Sequence, residues 1–163
     1  MPLILPTLQL ELIGILEKGP KGNPDPKLVG QDIAKAYMNY VSAGINAGGG
    51  PFTGMTGASQ LGTQLGDLLS KNPNMGASFS ATFSMRVNTC LSTFLSVYQT
   101  TIITAAGTSA LFQELNNIFS KPKGTSSLFA NALGRALHNF TSTAIVAGVI
   151  PDAPGVPFTG PIS

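Results

Sequence analysis

Residue types that could carry out covalent or acid–base chemistry are scarce in this chain. His138 is the only histidine and Cys90 the only cysteine. A cysteine nucleophile needs a base within hydrogen-bonding reach, and these two residues lie on different predicted helices with no spacing that brings them together. We therefore expect no Cys–His catalytic pair. Cys90 should be a buried thiol within an apolar helical stripe, and His138 should lie at the edge of its helix.

The acidic residues also show no catalytic or metal-binding arrangement. They are Glu11, Glu17, Asp25, Asp32, Asp67, Glu114 and Asp152. A single cysteine excludes an intramolecular disulfide and a multi-cysteine zinc site, and no metalloprotease, esterase, P-loop or dinucleotide motif is present. The glycine run at residues 48–50 could cradle a phosphate only if a helix followed at once, but Pro51 and Phe52 follow. We predict no catalytic residue, cofactor or metal, and a protein that is not an enzyme.

Charge is the unusual feature of the composition. Only 10% of the 163 residues are Asp, Glu, Lys or Arg, against about 25% in an average soluble domain. Such a chain cannot cover a solitary domain with charged side chains. Either partners or lipid cover the surface, or Ser, Thr, Asn and Gly supply its polarity. The net charge of +2 is too small to indicate nucleic-acid binding.

The tetrapeptide Pro-Phe-Thr-Gly occurs twice, at residues 51–54 and 157–160. Proline favours an extended entry, glycine permits a turn, and phenylalanine is the one large apolar group. Each Phe can tuck onto the core of its own domain or dock on a neighbouring subunit. We predict partner contacts at Pro51, Phe52, Thr53, Gly54, Pro157, Phe158, Thr159 and Gly160.

Apolar residues at helical spacing predict six helices, and no segment shows several alternating strands. The expected helices cover residues 7–18, 26–43, 58–71, 77–106, 109–119 and 126–147. Asp25-Pro26 predicts the start of the second helix, with the Asp25 carboxylate as its cap. The predicted fold is all-α, a bundle of about four main and two short helices. Residues 1–147 would form one helical domain, with a Gly/Pro strap at 44–57. Residues 148–163 would be an extended C-terminal tail.

Two details of the predicted helices bear on packing. Gly62 and Gly66 lie beside the apolar stripe of the third helix, where each glycine costs about 1 kcal/mol relative to alanine. We expect another backbone to pack closely there. The uncharged run at residues 87–113 is long enough to cross a bilayer, but repeated Ser, Thr, Asn and Gln residues are typical of a core helix with a polar edge.

The chain contains an internal echo. Residues 35–45 and 135–145 share Ala, Asn, Ser and Ile at an offset of one hundred, and each segment is followed by a Pro-Phe-Thr-Gly tetrapeptide. Duplication and chance both explain the match.

The order of parts resembles that of small phage virion proteins rich in Ala, Gly and Thr. The resemblance rests on an early helix through residues 33–40, a Gly/Pro segment, a long central helix, and a late helix through residues 133–138 that runs into a Pro-rich end. It implies a structural component of a particle, at the tail, baseplate or neck, and carries over no catalytic residue. It also implies a location in the virion, after assembly in the host cytoplasm.

We therefore expect a non-enzymatic assembly protein that contacts other subunits of the particle, including copies of itself, through apolar helix faces and Gly/Pro-rich arms. We expect no nucleic acid and no membrane among its partners. The alternative is a membrane-associated or membrane-active helical protein that inserts the fourth helix or residues 144–150 into lipid. A third possibility is a module that binds an apolar ligand between its helices.

Overall fold

A computed structural model describes residues 3–18, 25–71, 76–103, 105–121, 124–152 and 154–163. Its helices are α1 (Leu5–Lys18), α2 (Pro26–Ser42), α3 (Ala58–Lys71), α4 (Ala77–Leu91), α5 (Thr108–Ser120) and α6 (Ser126–Thr141). Its strands are β1 (Phe52–Met55), β2 (Phe94–Ser96), β3 (Gln99–Ile103), β4 (Ile145–Ile150) and β5 (Val156–Pro161).

The all-α prediction is wrong, because the described residues have a mixed α/β fold with five strands in two antiparallel sheets. The predicted fourth helix ends at Leu91, and the threonine- and isoleucine-rich residues that follow form β2 and β3. β-Branched side chains favour strands over helices. The predicted strap contains β1, and the predicted C-terminal tail lies in the sheet as the end of β4 and all of β5. The third helix, in contrast, occupies the predicted residues.

The extended segments follow one another around the carboxyl ends of α2, α4 and α6, and β2 and β3 are joined there by the turn at residues 97–98 while they belong to separate sheets. β1 pairs with β2, β3 pairs with β4, and β4 pairs with β5, all antiparallel. Ile45 then links the two ends of this order. It forms an isolated bridge with Pro51, and its N–H and C=O bond Ser163 at 2.9 and 3.1 Å. We call residues 43–57, 93–107 and 143–163 the hairpin ring.

The chain repeats a unit of helix, extended segment and helix with a period of fifty residues. Burial recurs at this spacing along α2, α4 and α6: the buried positions include the triplets 30/80/130, 33/83/133, 34/84/134, 37/87/137, 40/90/140, 41/91/141, 44/94/144 and 46/96/146. Hydrogen bonds repeat as well. Gly57 N–H donates to Thr93 Oγ1 at 2.8 Å, and Gly107 N–H donates to Thr143 Oγ1 at 3.2 Å. The two similar segments at an offset of one hundred therefore belong to the first and third of three units.

The third unit is divided between the two ends of the chain. Each of the first two units continues from its hairpin into an outer helix, α3 or α5. In the third unit α1 takes this place. Leu8 and Leu12 of α1 are buried like Leu61 and Leu65 of α3, and Gln9 Nε2 donates to the carbonyl oxygen of Asn131 in α6. The six helices thus close into a pseudo-three-fold arrangement.

Close helix packing explains the glycines of α3, as predicted. A Cβ atom added to Gly66 would lie 2.8 Å from the Cα of Lys27, and one added to Gly62 would lie 3.1 Å from the Cα of Gln31. The contact is closest at Gly30, where an added Cβ would lie 2.2 Å from the backbone nitrogen of Gly66. The crossing of α2 and α3 therefore requires residues without side chains. At the start of α2, the Asp25 side chain accepts a hydrogen bond from Lys27 N–H at 2.9 Å, which confirms the predicted cap.

Candidate functional site

Cys90 lies in the last turn of α4, which with α2 and α6 forms the inner helices of the three units, and its side chain is buried. Burial raises the pKa of the Cys90 thiol to about 12. The thiol is therefore protonated at neutral pH, whereas nucleophilic chemistry requires the thiolate. Positions 40, 90 and 140 of the three units hold Tyr, Cys and Phe, all buried. Cys90 thus fills a repeated core position.

His138 forms a hydrogen bond between its Nδ1 atom and the hydroxyl of Tyr40, and the two rings meet edge to face. Burial raises the pKa of Tyr40 above its ordinary value, which disfavours the ionised hydroxyl. The equivalent positions of His138 are Met38 and Asn88, both half-buried. The equivalent positions hold other residue types, so the contact between His138 and Tyr40 is particular to the third and first units.

A second buried polar contact joins the same helices. The hydroxyls of Tyr37 and Thr141 are 2.8 Å apart, and Thr141 Oγ1 also donates to the Leu137 carbonyl at 2.8 Å. Burial raises the pKa of Tyr37 above its ordinary value of 10.0. Across the described ranges, no buried side-chain nitrogen or oxygen lacks a partner. These polar groups are satisfied internally, so they are not presented to a ligand.

The groove between α2 and α3 is poor in side chains that could carry out chemistry. An open groove of about 400 Å³ lies between α2 and α3, lined by Gln31, Lys35, Met38, Ala58, Ser59, Gly62 and Thr63. Lys35 is its only charged residue. Within the described part of the chain, no three His, Cys, Asp or Glu side chains come together to hold a metal ion.

The first Pro-Phe-Thr-Gly segment lies in β1. The ring of Phe52 packs against that of Phe94, with centroids 5.4 Å apart. Pro51 forms the bridge to Ile45, and its carbonyl accepts from Val97 N–H at 3.0 Å. Pro51 and Thr53 are exposed, whereas Phe52 is half-buried against the core. The phenylalanine therefore contacts its own chain, and outward contacts would fall to the proline and threonine.

The second segment lies in β5 and has the same division of roles. Phe158 is half-buried, and its ring occupies the space where a Cβ on Gly48 or Gly148 would lie, at 2.6 and 2.5 Å. Pro157 and Thr159 are exposed. Partner contact by either tetrapeptide stays a prediction, and it now applies to the exposed proline and threonine of each segment.

The prolines of β5 also limit the hydrogen bonding of its outer edge. Ile162 N–H donates towards β4, to the carbonyl of Ala144, whereas Ser163 N–H donates the other way, to Ile45. Since backbone groups alternate in direction along a strand, the nitrogens of residues 157, 159 and 161 face away from β4. Two of these are prolines and cannot donate. Proline at such positions protects an edge from added strands.

Asn46 organises the interior of the hairpin ring. Its Oδ1 accepts from the N–H groups of Gly48 and Gly50 at 3.0 and 2.8 Å. Its Nδ2 lies 2.8 Å from both Ser96 Oγ and the Val97 carbonyl. The side chain therefore closes the loop of the first hairpin and ties it to the second hairpin. Because every bond is internal, we assign Asn46 a structural role.

The outer face of the hairpin ring has almost no charge. Of the nine basic and seven acidic residues of the chain, only Asp152 lies in the three ring segments. Aliphatic side chains are exposed there instead: Leu95 is 49% exposed, Ile145 37% and Val149 44%. All three lie on strands with a buried face on the other side. Of the ten exposed large apolar side chains among the described residues, five lie in the ring segments, and the other five are Ile4, Leu10, Leu28, Met85 and Leu128. What sets the ring segments apart is therefore their lack of charge.

Tyr98 occupies the turn between β2 and β3 with a backbone φ of 63°. This left-handed region is unfavourable for a bulky residue, at about 1 kcal/mol or more. The side chain is 47% exposed, so burial of the ring offsets only part of the cost of this backbone conformation. A strained, partly exposed aromatic residue on an uncharged face is a feature of contact surfaces.

The hairpin ring as a surface was not foreseen from the sequence, although its signal was present. Segments 43–57 and 93–107 contain no charged residue, and they begin fifty residues apart. Comparison of the chain with protein-family models, with curated proteins and with solved structures finds no match.

Proposed function

We propose that this protein is a non-enzymatic assembly subunit of a phage virion or a similar multi-subunit particle. The observation that carries the proposal is the outer face of the hairpin ring, where Ile, Leu, Val, Pro and Thr are exposed and Asp152 is the only charged residue. Loss of charged residues together with exposed aliphatic and aromatic side chains is typical of the central part of a protein interface.

The arrangement of the ring favours contact through side chains. The prolines of β5 remove donors from its outer edge, which disfavours docking by an added strand. A rigid sheet surface also loses little conformational freedom on binding. Both features support contact through side chains with other subunits or further copies of the chain. The contact residues would be the exposed residues of the two Pro-Phe-Thr-Gly segments, which are Pro51, Thr53, Pro157 and Thr159.

A lipid surface is the other partner that an uncharged protein face can bind. Of the described helices, none is both long and apolar enough to span a bilayer. Residues 144–150, which the membrane alternative would insert as part of a helix, belong mainly to β4. Adsorption of the hairpin ring to a lipid surface is therefore an outcome that the experiment below must separate from assembly.

Sedimentation tests the proposal directly. In nuclease-treated lysates of the cells that produce the protein, the untagged chain should sediment with a discrete particle at fixed stoichiometry. The variant Thr53→Lys/Thr159→Lys, which places two charges on the ring face, should shift to the monomer fraction. A matched control, Lys35→Thr on α2, should remain with the particle.

Two results would overturn the proposal. The wild-type chain could sediment as a monomer throughout, or it could float with liposomes of neutral phospholipid while it stays absent from particles. Circular dichroism of the double variant establishes that a shift reflects lost contact and not unfolding.

A further inference from the structure

The end of the molecule opposite the hairpin ring carries most of the basic residues. The inner helices end at the ring, so their first residues and the last residues of the outer helices lie at the other end. These helix ends and the chain between them fall within residues 17–28, 70–78 and 120–128, which we call the lysine pole. The pole has six basic and two acidic residues, a net charge of +4, whereas the rest of the chain has three basic and five acidic residues, a net charge of −2.

The basic residues of the pole are all lysines. They are Lys18, Lys21, Lys27, Lys71, Lys121 and Lys123. The structure describes the side chains of Lys27, Lys71 and Lys121, and all three are exposed.

A lysine recurs at the carboxyl end of every outer helix. Lys18 and Lys71 are the last residues of α1 and α3, and Lys121 directly follows α5. Each lies ten residues after the first buried leucine of its helix. Because the helices have a pseudo-three-fold arrangement, the three positions are spread around the end of the molecule and do not line one groove. A flat anionic surface can meet all three, whereas a peptide or a rod-shaped duplex would meet fewer.

Helix stability explains only part of this charge. The helix dipole favours a cation at the carboxyl end of a helix, which accounts for Lys71 and Lys121. The same dipole disfavours a cation in the first turn, yet Lys27 is the second residue of α2. A basic side chain that its own helix does not favour indicates an interaction outside the chain.

Two exposed leucines lie among the lysines of the pole. Leu28, which follows Lys27, is 58% exposed, and Leu128 is 64% exposed. Leu128 and Lys121 line the same open groove of about 240 Å³. The equivalent residue of the second unit is Ser78, which is also exposed, so the fold does not require leucine at this position. A nucleic-acid phosphate backbone offers such leucines no apolar surface, whereas the headgroup–acyl boundary of a bilayer does.

We propose that the lysine pole adsorbs to the surface of an anionic lipid bilayer, with the lysines at the headgroups and Leu28 and Leu128 inserted among them. Clusters of about four to eight basic residues are typical of protein surfaces that bind anionic lipids, and exposed aliphatic side chains strengthen such binding.

This inference goes beyond the proposed function and does not depend on it. It replaces the expectation that a membrane is not among the partners, since adsorption to a surface requires no membrane-spanning helix. The pole and the hairpin ring lie at opposite ends of the molecule, so a chain held at a bilayer still presents the ring to other subunits.

Sedimentation with lipid vesicles tests the inference on the purified full chain. The chain should pellet with vesicles of phosphatidylcholine and phosphatidylserine but not with vesicles of phosphatidylcholine alone, and high salt should release it. Lys71→Gln/Lys121→Gln should weaken binding about 25-fold, since each lysine near an anionic surface contributes about five-fold. The control Lys35→Gln/Arg135→Gln removes the same charge from exposed positions on the inner helices and should change binding far less.

A second variant separates lipid from nucleic acid. Leu28→Ser/Leu128→Ser introduces the residue type of the equivalent position 78 and should weaken vesicle binding several-fold. Its control is Leu10→Ser, at a side chain that is 69% exposed on α1, which should bind like wild type. Duplex DNA added as a competitor should not displace the chain from anionic vesicles.

Four results would overturn the inference. They are no binding to anionic vesicles, equal binding to neutral and anionic vesicles, equal losses in the pole and control lysine variants, and displacement by DNA with no effect of the leucine changes. The last result would assign the pole to nucleic acid. In all four cases the wild-type chain still sediments with the particle, which separates this failure from failure of the proposed function. Circular dichroism establishes that each variant is folded.

Discussion

At the scale of single residues, buried hydroxyl groups hold the inner helices together. Tyr37 bonds Thr141, and Tyr40 bonds His138, so both tyrosines link α2 to α6. Their burial raises both pKa values, because the ionised phenolate would lose its hydration. The same contacts that join the first and third units therefore make the fold sensitive to alkaline pH.

We expect the free energy of unfolding to fall as the pH rises above 10. Below pH 10 Tyr37 is neutral in both states. Above it the unfolded chain loses the proton while the folded chain retains it, which favours unfolding by about 1.4 kcal/mol per pH unit for each such tyrosine. Tyr37→Phe should reduce this slope by about that amount, at a cost of about 1 kcal/mol at neutral pH. Urea unfolding at pH 8 to 11 measures both, and identical alkaline slopes for the two proteins would contradict the assignment.

The strained backbone of Tyr98 leads to a second residue-scale prediction. Asparagine tolerates the left-handed region better than most residues, whereas alanine keeps the strain and removes the ring. Tyr98→Asn should therefore be more stable than Tyr98→Ala by about 1 kcal/mol. Both should weaken incorporation into the particle if the ring is a contact residue. Equal stability of the two variants in chemical denaturation would show that φ is not the source of strain.

At the scale of elements, local signals in the sequence identify the starts of α2 and α3 and fail at the ends of α4 and α6, whose predicted helices continue to residues 106 and 147. Asp25-Pro26 and the glycines of α3 are short-range signals with a direct physical meaning, and the structure agrees with both. The end of α4 is different, because the apolar period of residues 79–91 continues into Phe94 and Ile102. Whether such residues are helix or strand depends on partners such as β1 and β4, which lie more than forty residues away.

The crossing of α2 and α3 yields a matched pair of glycine variants. Gly30→Ala would place a methyl group 2.2 Å from the backbone of Gly66, so the helices must separate, and we expect a loss of roughly 1–3 kcal/mol. Gly14 in α1 is exposed and has no atom within 4 Å of an added Cβ. Gly14→Ala should therefore gain about 0.5–1 kcal/mol. Thermal unfolding compares them, and a neutral Gly30→Ala would argue against the close crossing.

At the scale of the whole molecule, the three-unit architecture was only partly visible in the sequence. The first and third units share several identities, but the middle segment, residues 85–95, shares only Ser92 with the first and Ser92 and Thr93 with the third. What the middle unit retains is the spacing of buried positions, which many residue types satisfy. The hairpin ring could not be foreseen for the same reason, since its closure depends on contacts between distant units.

The division of the third unit predicts that the chain tolerates circular permutation. A Cβ on Gly44 would lie 2.8 Å from Ile162 and 3.0 Å from Leu3, so the two ends of the described chain meet at one residue. A permutant that joins Ser163 to Met1 and begins at Asp25 should fold with a Tm within a few degrees of wild type. A control permutant with the same join, opened at Gly49, interrupts the hydrogen bonds of Asn46 and should be clearly less stable.

Failure of the first permutant to fold would show that the original chain ends contribute to stability beyond being close together. Circular dichroism gives the helix content of both proteins, and sedimentation establishes that each is monomeric before their Tm values are compared.

The position of α1 also has a consequence for synthesis. This helix is synthesised before its main partner α6, so the hydrogen bond from Gln9 to Asn131 can form only after α6 has been made. Until then the apolar side chains of Leu8 and Leu12 have no complete site to occupy, and a truncated chain cannot close its third unit. Completion of the fold is thereby tied to the synthesis of α6, so a chain that is interrupted before α6 cannot acquire a finished hairpin ring.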